Sequence, residues 1–163
     1  MSTDDLVDAF AAKISASGVP IFAQDNTSRF ALFESKLPKR LPVSFASFLS
    51  RYTFPSLDIL GISFFGWESD SSRYIVEASA PTGSLSELLL PNGYVQVGQP
   101  DTSSFDAVCF DLNQKSQNRE CHIVQIDHES ILCNWKVGVS TKLWPSFVKL
   151  MENAISGTDA VVH

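Results

Sequence analysis

Four segments decide the fold of this chain: FDAVCFDL (105–112), CHIVQIDHE (121–129), SILCNWKV (130–137) and LWPSFVKLMENAI (143–155). The first three predict strands, because they are short and rich in β-branched and aromatic residues. The third has the clearest pattern, since every second residue from Ile131 to Val137 falls on one face and Leu132, Asn134 and Lys136 fall on the other. This period of two predicts one buried face. Trp135 is therefore expected in the core, where its truncation to Ala would cost about 3–5 kcal/mol.

The fourth segment predicts an amphipathic helix that covers the sheet. Its apolar residues recur at helical spacing and are Trp144, Phe147, Val148, Met151 and Ile155. Pro145 suits the first turn of such a helix, where a backbone N–H is not needed. Gly157 suits the left-handed conformation that ends many helices.

The remainder of the chain supplies more helices and strands. Helices are predicted at 3–16, with Leu6, Phe10 and Ile14 in one stripe, at 27–36, and from Pro42 to the residue before Pro55. Strands are predicted at 57–66 with a bend at Gly61, at 73–79 and at 94–98, and a single helical turn lies within 83–93. Because helices gather at the two ends and the strands are consecutive, the order predicts an α+β fold. We expect an antiparallel sheet meander flanked by N-terminal helices and a C-terminal helix.

Length and charge limit the possible functions. The chain has 163 residues, a net charge of −6 and a pI of about 4.9. The length predicts one domain, 1–163, with a frayed tail at 157–163. The charge argues against direct nucleic-acid binding, which needs clustered Lys and Arg, and is compatible with a basic protein partner. The simpler explanation is that soluble domains are often acidic.

The start of the chain and the cysteines indicate a cytoplasmic protein. MSTDDLVDAF is acidic where a secretory signal would be basic, and no apolar run approaches a membrane span. The three cysteines, Cys109, Cys121 and Cys133, all fall in predicted strands, and none belongs to a C-x-x-C pair. Buried thiols are therefore expected.

Three blocks of sequence resemble the SUKH superfamily, the Smi/Knr-type domains. The first is Phe33-Glu34, Leu37, Leu41-Pro42, Phe45, Phe48-Leu49 and Tyr52. The second is the segment LDILG at 57–61. The third comprises 95–98, 108–112 and IVQIDHE at 123–129, and it closes with Trp135 and Phe147. The match covers about 27–155, so the first helix lies outside it.

The resemblance implies a binding domain rather than an enzyme. Many members resemble immunity proteins that neutralise a bacterial toxin, often a nuclease or a deaminase, and others resemble intracellular regulators or scaffolds. An immunity protein with a basic toxin domain as its partner is the expectation, with no cofactor and no metal. A regulatory domain without a toxin is the alternative.

Acidic and aromatic residues are the candidate contacts with a partner. The run Phe64-Phe65-Gly66-Trp67 is followed by acids, which is typical of a protein-binding patch. An equally good interpretation places Phe64 and Trp67 at the edge of the core. The predicted contact residues are Trp67, Glu68, Asp70, Asp101, Asp106, Asp127 and Glu129.

Catalytic and metal-binding interpretations are weaker. In Asp127-His128-Glu129 the imidazole could carry a proton, which defines a less favoured small-ligand function, but these residue types are typical of a turn. His122 and His128 would lie about 20 Å apart on a straight strand, too far for one zinc ion. Asp106 and Asp111 fall on opposite strand faces and cannot act as a pair. Cys133 shares an apolar face with Trp135, which argues against a reactive thiol.

Overall fold

Three helices in the N-terminal third form where the sequence predicts them. The computed structural model describes residues 1–68, 85–102, 104–116, 118–157 and 161–162. Helix α1 spans Thr3–Ala16, α2 spans Thr27–Ser35 and α3 spans Val43–Arg51. Ser2 caps α1, because its hydroxyl accepts the Asp5 N–H at 3.1 Å while the Asp5 carboxylate accepts the Ser2 N–H at 3.2 Å. Such a reciprocal cap fixes the start of a helix. Two short strands, β1 (Phe22–Ala23) and β2 (Tyr52–Thr53), pair beside these helices.

Seven strands among the described residues form an antiparallel sheet at the centre of the molecule. Its strands are β3 (Leu57–Ile59), β4 (Ile62–Phe64), β5 (Tyr94–Pro100), β6 (Ala107–Lys115), β7 (Cys121–Ile126), β8 (Val139–Trp144) and β9 (Val161–Val162). Their spatial order is β8-β7-β6-β5-β4-β3-β9. Strands that follow one another among the described residues are neighbours from β3 to β8, which confirms the predicted α+β meander.

The segment predicted as one strand bent at Gly61 is a hairpin. β3 and β4 pair directly, with Ile59 opposite Ile62. The two residues between them, Leu60 and Gly61, have φ of 49° and 86°. Positive φ at both central residues gives the tight turn that matches the twist of paired strands. The strand predicted at 73–79 lies outside the described residues.

One face of the sheet carries the main aromatic core. Helix α6 (Phe147–Ser156) lies on this face with α1 and α3. The Phe147 ring is central to this core, because the centroids of five other aromatic rings lie 5.1 to 6.3 Å from its own, a distance at which aromatic rings pack favourably. The rings that contact Phe147 are Phe10, Phe45, Phe48, Phe64 and Phe110.

The opposite face is covered by two short helices. These are α4 (Ser86–Leu89), which continues into a 3-10 turn at Leu90–Asn92, and α5 (His128–Asn134). Leu89 from α4 and Ile131 from α5 are fully buried in a second apolar cluster. The sheet residues of that cluster are Ala107, Cys109, Val124 and Ile126. Both faces of the central strands are therefore covered, which explains why β6 and β7 contain almost continuous apolar runs.

The strand predicted at 131–137 is wrong. His128–Asn134 is helical, and the strand that pairs with β7 is β8, which begins at Val139. Asp127 sets this outcome by capping α5, because its carboxylate accepts the Glu129 N–H at 3.0 Å. Trp135 is exposed rather than buried, so its predicted loss of 3–5 kcal/mol on truncation does not apply. Cys133 is exposed as well, whereas Cys109 and Cys121 are buried as predicted.

The end of the chain also differs from the prediction. Trp144 closes β8, and α6 begins only at Phe147, where the Ser146 hydroxyl accepts the Lys149 N–H at 3.1 Å. Gly157 is extended, with φ −83° and ψ 151°, rather than left-handed. The tail predicted to fray includes β9, which pairs with β3. Within the described ranges, no helix is both long and apolar enough to cross a lipid bilayer.

Candidate protein-binding surface

Two acidic residues are brought together by the register of the central strands. Ala107 at the start of β6 pairs with Ile126 at the end of β7. Asp106 directly precedes the first of these residues, and Asp127 directly follows the second. In an antiparallel pair, residues just beyond a matched position are neighbours at the same end of the sheet. The β6–β7 register therefore places two carboxylates side by side where α5 begins.

Asp106 is held by three hydrogen bonds. Its Oδ1 accepts the backbone N–H of His128 at 3.0 Å and lies 2.6 Å from Nδ1 of the same residue. Its Oδ2 accepts from Nε2 of Gln125 at 2.7 Å. Partial burial alone would raise the pKa of Asp106, but these hydrogen bonds outweigh it, and the pKa lies below the ordinary value of a carboxyl group. Asp106 is therefore charged near neutral pH.

His128 is the first residue of α5, and carboxylates surround it. The hydrogen bond to Asp106 raises its pKa above the ordinary value, slight desolvation opposes the shift, and the negative charges of Glu129 and Asp127 add to it. Since a carboxylate can only accept, Nδ1 carries the proton in this contact. The Phe105 ring and the imidazole meet edge to face, with ring centroids 6.0 Å apart. Asp106 thus links the β5–β6 connection to the start of α5.

Asp127 is occupied by its own helix. Its Oδ1 caps α5, and its Oδ2 accepts the Ser130 hydroxyl at 2.9 Å. The turn interpretation of 127–129 is right in that Asp127 binds local backbone, although a helix follows rather than a strand. The small-ligand hypothesis paired His128 with Asp127, whereas the carboxylate against the imidazole is that of Asp106. Ser130, the nearest hydroxyl on α5, is directed to Asp127 instead of the imidazole.

One group of residues in the described part of the chain is compact enough to hold a cation. Ligand atoms of Asp106, Asp127 and His128 all lie within 4.8 Å of one another. Every carboxylate oxygen in this group already accepts a hydrogen bond from the protein, and Nδ1 of His128 carries the donating proton. A metal ion that bound through Nδ1 would first have to displace that proton. Cys121 and His122 lie on opposite faces of β7, so the weaker metal hypothesis finds no common site for them.

A strip of exposed apolar side chains adjoins the carboxylates. Leu132 is 61% exposed and Trp135 is 56% exposed. His128 and Leu132 are four residues apart and so lie one turn apart on the same side of α5, and Trp135 follows at the C-terminal cap of that helix. Phe105, 69% exposed, extends this strip from the His128 ring. We call Phe105, His128, Leu132 and Trp135 the α5 face.

Trp67 was predicted at a partner contact, and the structure places it in the core. It is fully buried, and its indole N–H donates to the Leu49 carbonyl at 2.8 Å. The Phe33 ring packs on it at 5.4 Å between centroids, and the Arg29 guanidinium lies 3.8 Å from its centroid. Trp67 therefore cannot contact a partner, and the core-edge interpretation of the 64–67 run is the right one.

The other predicted contact residues fall into two groups. Asp101 and Glu129 are exposed, and Asp101 begins the connection that Asp106 ends, so these two lie with Asp127 at one end of the sheet. Glu68 is half-buried and follows β4 away from that end. Its carbonyl accepts from Arg29 at 2.6 Å. Asp70 lies outside the described residues.

Sequence reasoning missed Phe105, Leu132 and Trp135 as surface residues. The missed signal was the helix start, since Asp127 followed by Glu129 is an N-cap with an acid in the first turn. A helix from 128 ends at Trp135 and leaves this residue exposed, whereas a strand would have put it in the core. Nothing local to Phe105 marks it as exposed.

A second polar cluster has a structural role. Arg51 of α3 donates to both oxygens of Asp8 on α1 at 2.7 Å, and the Tyr52 hydroxyl donates to the same carboxylate at 2.6 Å. The hydrogen bond from Arg51, followed by that from Tyr52, lowers the pKa of Asp8. These contacts join α1 to α3 beside an open cleft that Arg51 and Tyr52 help to line.

Comparison with known proteins adds no assignment. No protein-family model matches this chain, and no curated protein matches it in sequence.

Proposed function

We propose that this chain is a non-catalytic protein-binding domain of the SUKH type that binds a basic protein partner. The observation that carries the proposal is the group of carboxylates at one end of the sheet. Asp106 and Asp127 are adjacent there, and the exposed Asp101 and Glu129 flank them. With a net charge of −6, such a surface attracts a positively charged partner and orients it.

The proposed biological role is immunity in the cytoplasm. A toxin that cleaves or deaminates nucleic acid needs a positive surface to hold phosphate groups. An acidic domain can occupy that surface and exclude the substrate. The resemblance of 27–155 to SUKH domains supports this role. A regulatory or scaffold domain of the same type, without a toxin, is the second candidate, and a toxin gene beside the gene of this chain would decide between the two.

The small-ligand function is the third candidate, and the contacts of His128 bear on it. Asp106 binds Nδ1 of His128, which leaves Nε2 as the nitrogen available for general base catalysis. Among the described residues no hydroxyl or thiol is hydrogen-bonded to this imidazole, and the Ser130 hydroxyl donates to Asp127 instead, so binding is the better supported function. A His128→Ala variant should lose at most part of the protective activity, because a half-buried side chain is only one of several contacts on a binding surface, whereas a catalytic imidazole is indispensable. Complete loss of that activity in a variant that is still folded would favour the small-ligand function instead.

Charge variants test the acidic surface directly. Asp101→Asn with Glu129→Gln removes two exposed carboxylates at the proposed site, and neither side chain accepts a hydrogen bond from another described residue. Glu87→Gln with Glu152→Gln removes the same charge from exposed positions on α4 and α6. Each double variant is titrated calorimetrically with the protein encoded by the adjacent gene, at about 50 and 500 mM salt.

The two double variants have different expected results. The first should weaken binding at low salt and flatten its salt dependence, because exposed charges are screened over about 10 Å at 0.1 M salt. The second should behave almost like the parent. An affinity that is equal at both salt concentrations, or that falls equally in the two variants, would contradict binding through this end of the sheet.

A further inference from the structure

Trp135 occupies a backbone position that ordinarily takes glycine or asparagine. It is the C-cap of α5, with φ 52° and ψ 44° in the left-handed region. Its N–H closes the helix by donating to the carbonyls of Ile131 and Ser130. A side chain with a β-carbon crowds the following carbonyl in this conformation, whereas glycine does not. A large aromatic residue is therefore an unfavourable choice for the backbone here.

The Trp135 side chain gains no core packing that would offset this cost. It is 56% exposed and belongs to neither apolar cluster of the described residues. By contrast, Trp67 is fully buried and hydrogen-bonded. Strained backbone and exposed aromatics are both features that collect at functional sites, because there the side chain serves contact rather than stability.

A single exposed tryptophan is common on protein surfaces and means little alone. Trp135 is not alone, since the exposed Leu132 lies three residues before it on α5 and the exposed Phe105 contacts His128 at the start of that helix. Asp106, Asp127 and Glu129 lie at the N-terminal end of this strip. An apolar centre with a charged rim is the usual anatomy of a protein interface.

We propose that the α5 face is the contact surface for a basic protein partner, with Trp135 as the anchor that enters an apolar pocket on that partner. The inference rests on the proposed protein-binding function and adds the location and the anchor. Charge complementarity selects the occupant, because positive groups around the partner's pocket would meet Asp127 and Glu129 when Trp135 is inserted. The same carboxylates would repel a nucleic acid or a negatively charged membrane surface.

Trp135→Gly separates a role in partner binding from a role in stability, because the substitution should weaken binding without lowering the stability of the fold. Glycine relieves the left-handed backbone, so the urea midpoint of the variant should equal or exceed that of the parent. Removal of the anchor should weaken partner binding at least tenfold. A merely structural tryptophan would give the reverse pattern, with a lower midpoint and unchanged binding.

Leu132→Ser has a closely matched control. Leu132 is 61% exposed on α5, and Leu32 is 62% exposed on α2. Leu132→Ser should weaken binding about tenfold, whereas Leu32→Ser should leave it within twofold. Equal losses in both variants would show that general surface hydrophobicity, rather than the α5 face, drives association.

The binding probe is a phage library that displays genomic fragments of the source organism, selected on the full immobilised chain. Purified clones are then titrated against the parent, Trp135→Gly, Leu132→Ser and Leu32→Ser. Loss of affinity limited to the two α5 variants supports the inference. Full affinity in those variants overturns it and leaves the proposed function standing.

Two further outcomes have distinct meanings. A selection that enriches no clone overturns the proposed protein-binding function itself. Sedimentation that shows a dimer of the chain, abolished by Trp135→Gly, would assign the α5 face to a second copy and overturn the basic partner. Quenching of Trp135 fluorescence by acrylamide should decrease on addition of a clone, because the exposed indole becomes covered.

Discussion

Trp67 and Trp135 are the same residue type in opposite environments, so they should respond oppositely to truncation. Trp67 is fully buried between Phe33 and Arg29, with its indole N–H on the Leu49 carbonyl. Trp67→Ala should lower the free energy of unfolding by about 3–5 kcal/mol, the usual loss for a buried aromatic side chain. Trp135→Ala should change it by less than about 0.5 kcal/mol, as for most surface positions. Urea titration of both variants measures the contrast, and similar losses at the two sites would contradict the exposed position of Trp135.

The Asp106–His128 contact predicts a window of pH in which it contributes most to stability. The pKa of His128 is raised, so its contribution is complete below the ordinary 6.5 and is lost as pH rises through the higher folded value. The pKa of Asp106 is lowered, so its contribution is present above the ordinary 3.8 and is lost as pH falls through the lower folded value. The difference in unfolding free energy between the parent and Asp106→Asn should therefore be largest between these two pH values.

The same contact can be tested by measuring the pKa of the His128 imidazole with nuclear magnetic resonance. The His128 pKa should return toward its ordinary value in Asp106→Asn, because the amide keeps an acceptor but loses the charge. Asp101→Asn provides the control, since that exposed carboxylate lies in the same β5–β6 connection. An unchanged His128 pKa in Asp106→Asn, or an equal shift in both variants, would count against the direct contact.

At the scale of secondary-structure elements, Glu120 joins helix α3 to the sheet. Its buried carboxylate accepts the Ser44 N–H at 3.1 Å and the Ser44 hydroxyl at 2.6 Å. Ser44 lies in the first turn of α3, where free N–H groups and the helix dipole favour a negative charge. Glu120→Ala should therefore destabilise the fold by about 1–3 kcal/mol, because it leaves these donors unsatisfied.

Two further variants show whether the loss of stability comes from the Glu120–Ser44 hydrogen bonds or from the removal of a negative charge. Glu120→Gln keeps an acceptor and should cost less than Glu120→Ala. Glu87→Ala, at an exposed position, should be nearly neutral. Thermal and urea unfolding of the three variants give the comparison. A neutral Glu120→Ala would show that water satisfies the first turn of α3 equally well.

Elements with local signals could be predicted from sequence, and elements set by distant contacts could not. Helix α1 carries its own cap in Ser2 and Asp5. The segment 131–137 has an alternation that suits a strand and, with Ile131 inward, also suits one side of a short helix. The Asp127 cap and the burial of Ile131 against β6 and β7 decide in favour of the helix. The cap is a local signal that the alternation obscures, whereas the burial of Ile131 against β6 and β7 is a long-range contact that the local pattern does not show.

The candidate surface follows the same rule: its acidic residues could be predicted from the sequence, but their arrangement in space could not. Asp106, Asp127 and Glu129 were predicted as partner contacts from their residue types at strand ends. Glu129 is exposed, whereas Asp106 and Asp127 are half-buried and hydrogen-bonded. Their meeting depends on the pairing of Ala107 with Ile126, which is a long-range register. Phe105 and Trp135 could not be assigned to this surface without knowing where α5 begins. Trp67 was misassigned because a buried partner for its indole N–H lies 18 residues away.

At the scale of the whole molecule, two separate layers cover the sheet, and one buried thiol lies under each. Cys109 lies beneath α5 in the cluster that contains Ile131, and Cys121 belongs to the aromatic core beneath α1, α3 and α6. Burial raises the pKa of Cys121 to about 12 and raises that of Cys109 as well. Cys133 is exposed on α5. The reactivity of Cys109 therefore reports on the layer that contains α5, that of Cys121 on the aromatic layer, and that of Cys133 on the exposed surface.

Thiol labelling can therefore test the whole architecture. The native chain should react with a thiol reagent at Cys133 alone, because only a deprotonated and accessible thiol is a nucleophile, and all three should react in urea. Ile131→Ala removes the residue that anchors α5, so Cys109 should begin to react while Cys121 stays protected, since the aromatic layer on the other face is untouched. Cys133→Ser provides the baseline, with no rapid reaction in the native state. If Cys109 and Cys121 become reactive together in Ile131→Ala, the two layers open as one cooperative unit. That result would contradict the expectation that α5 can detach from the sheet while the aromatic layer stays closed.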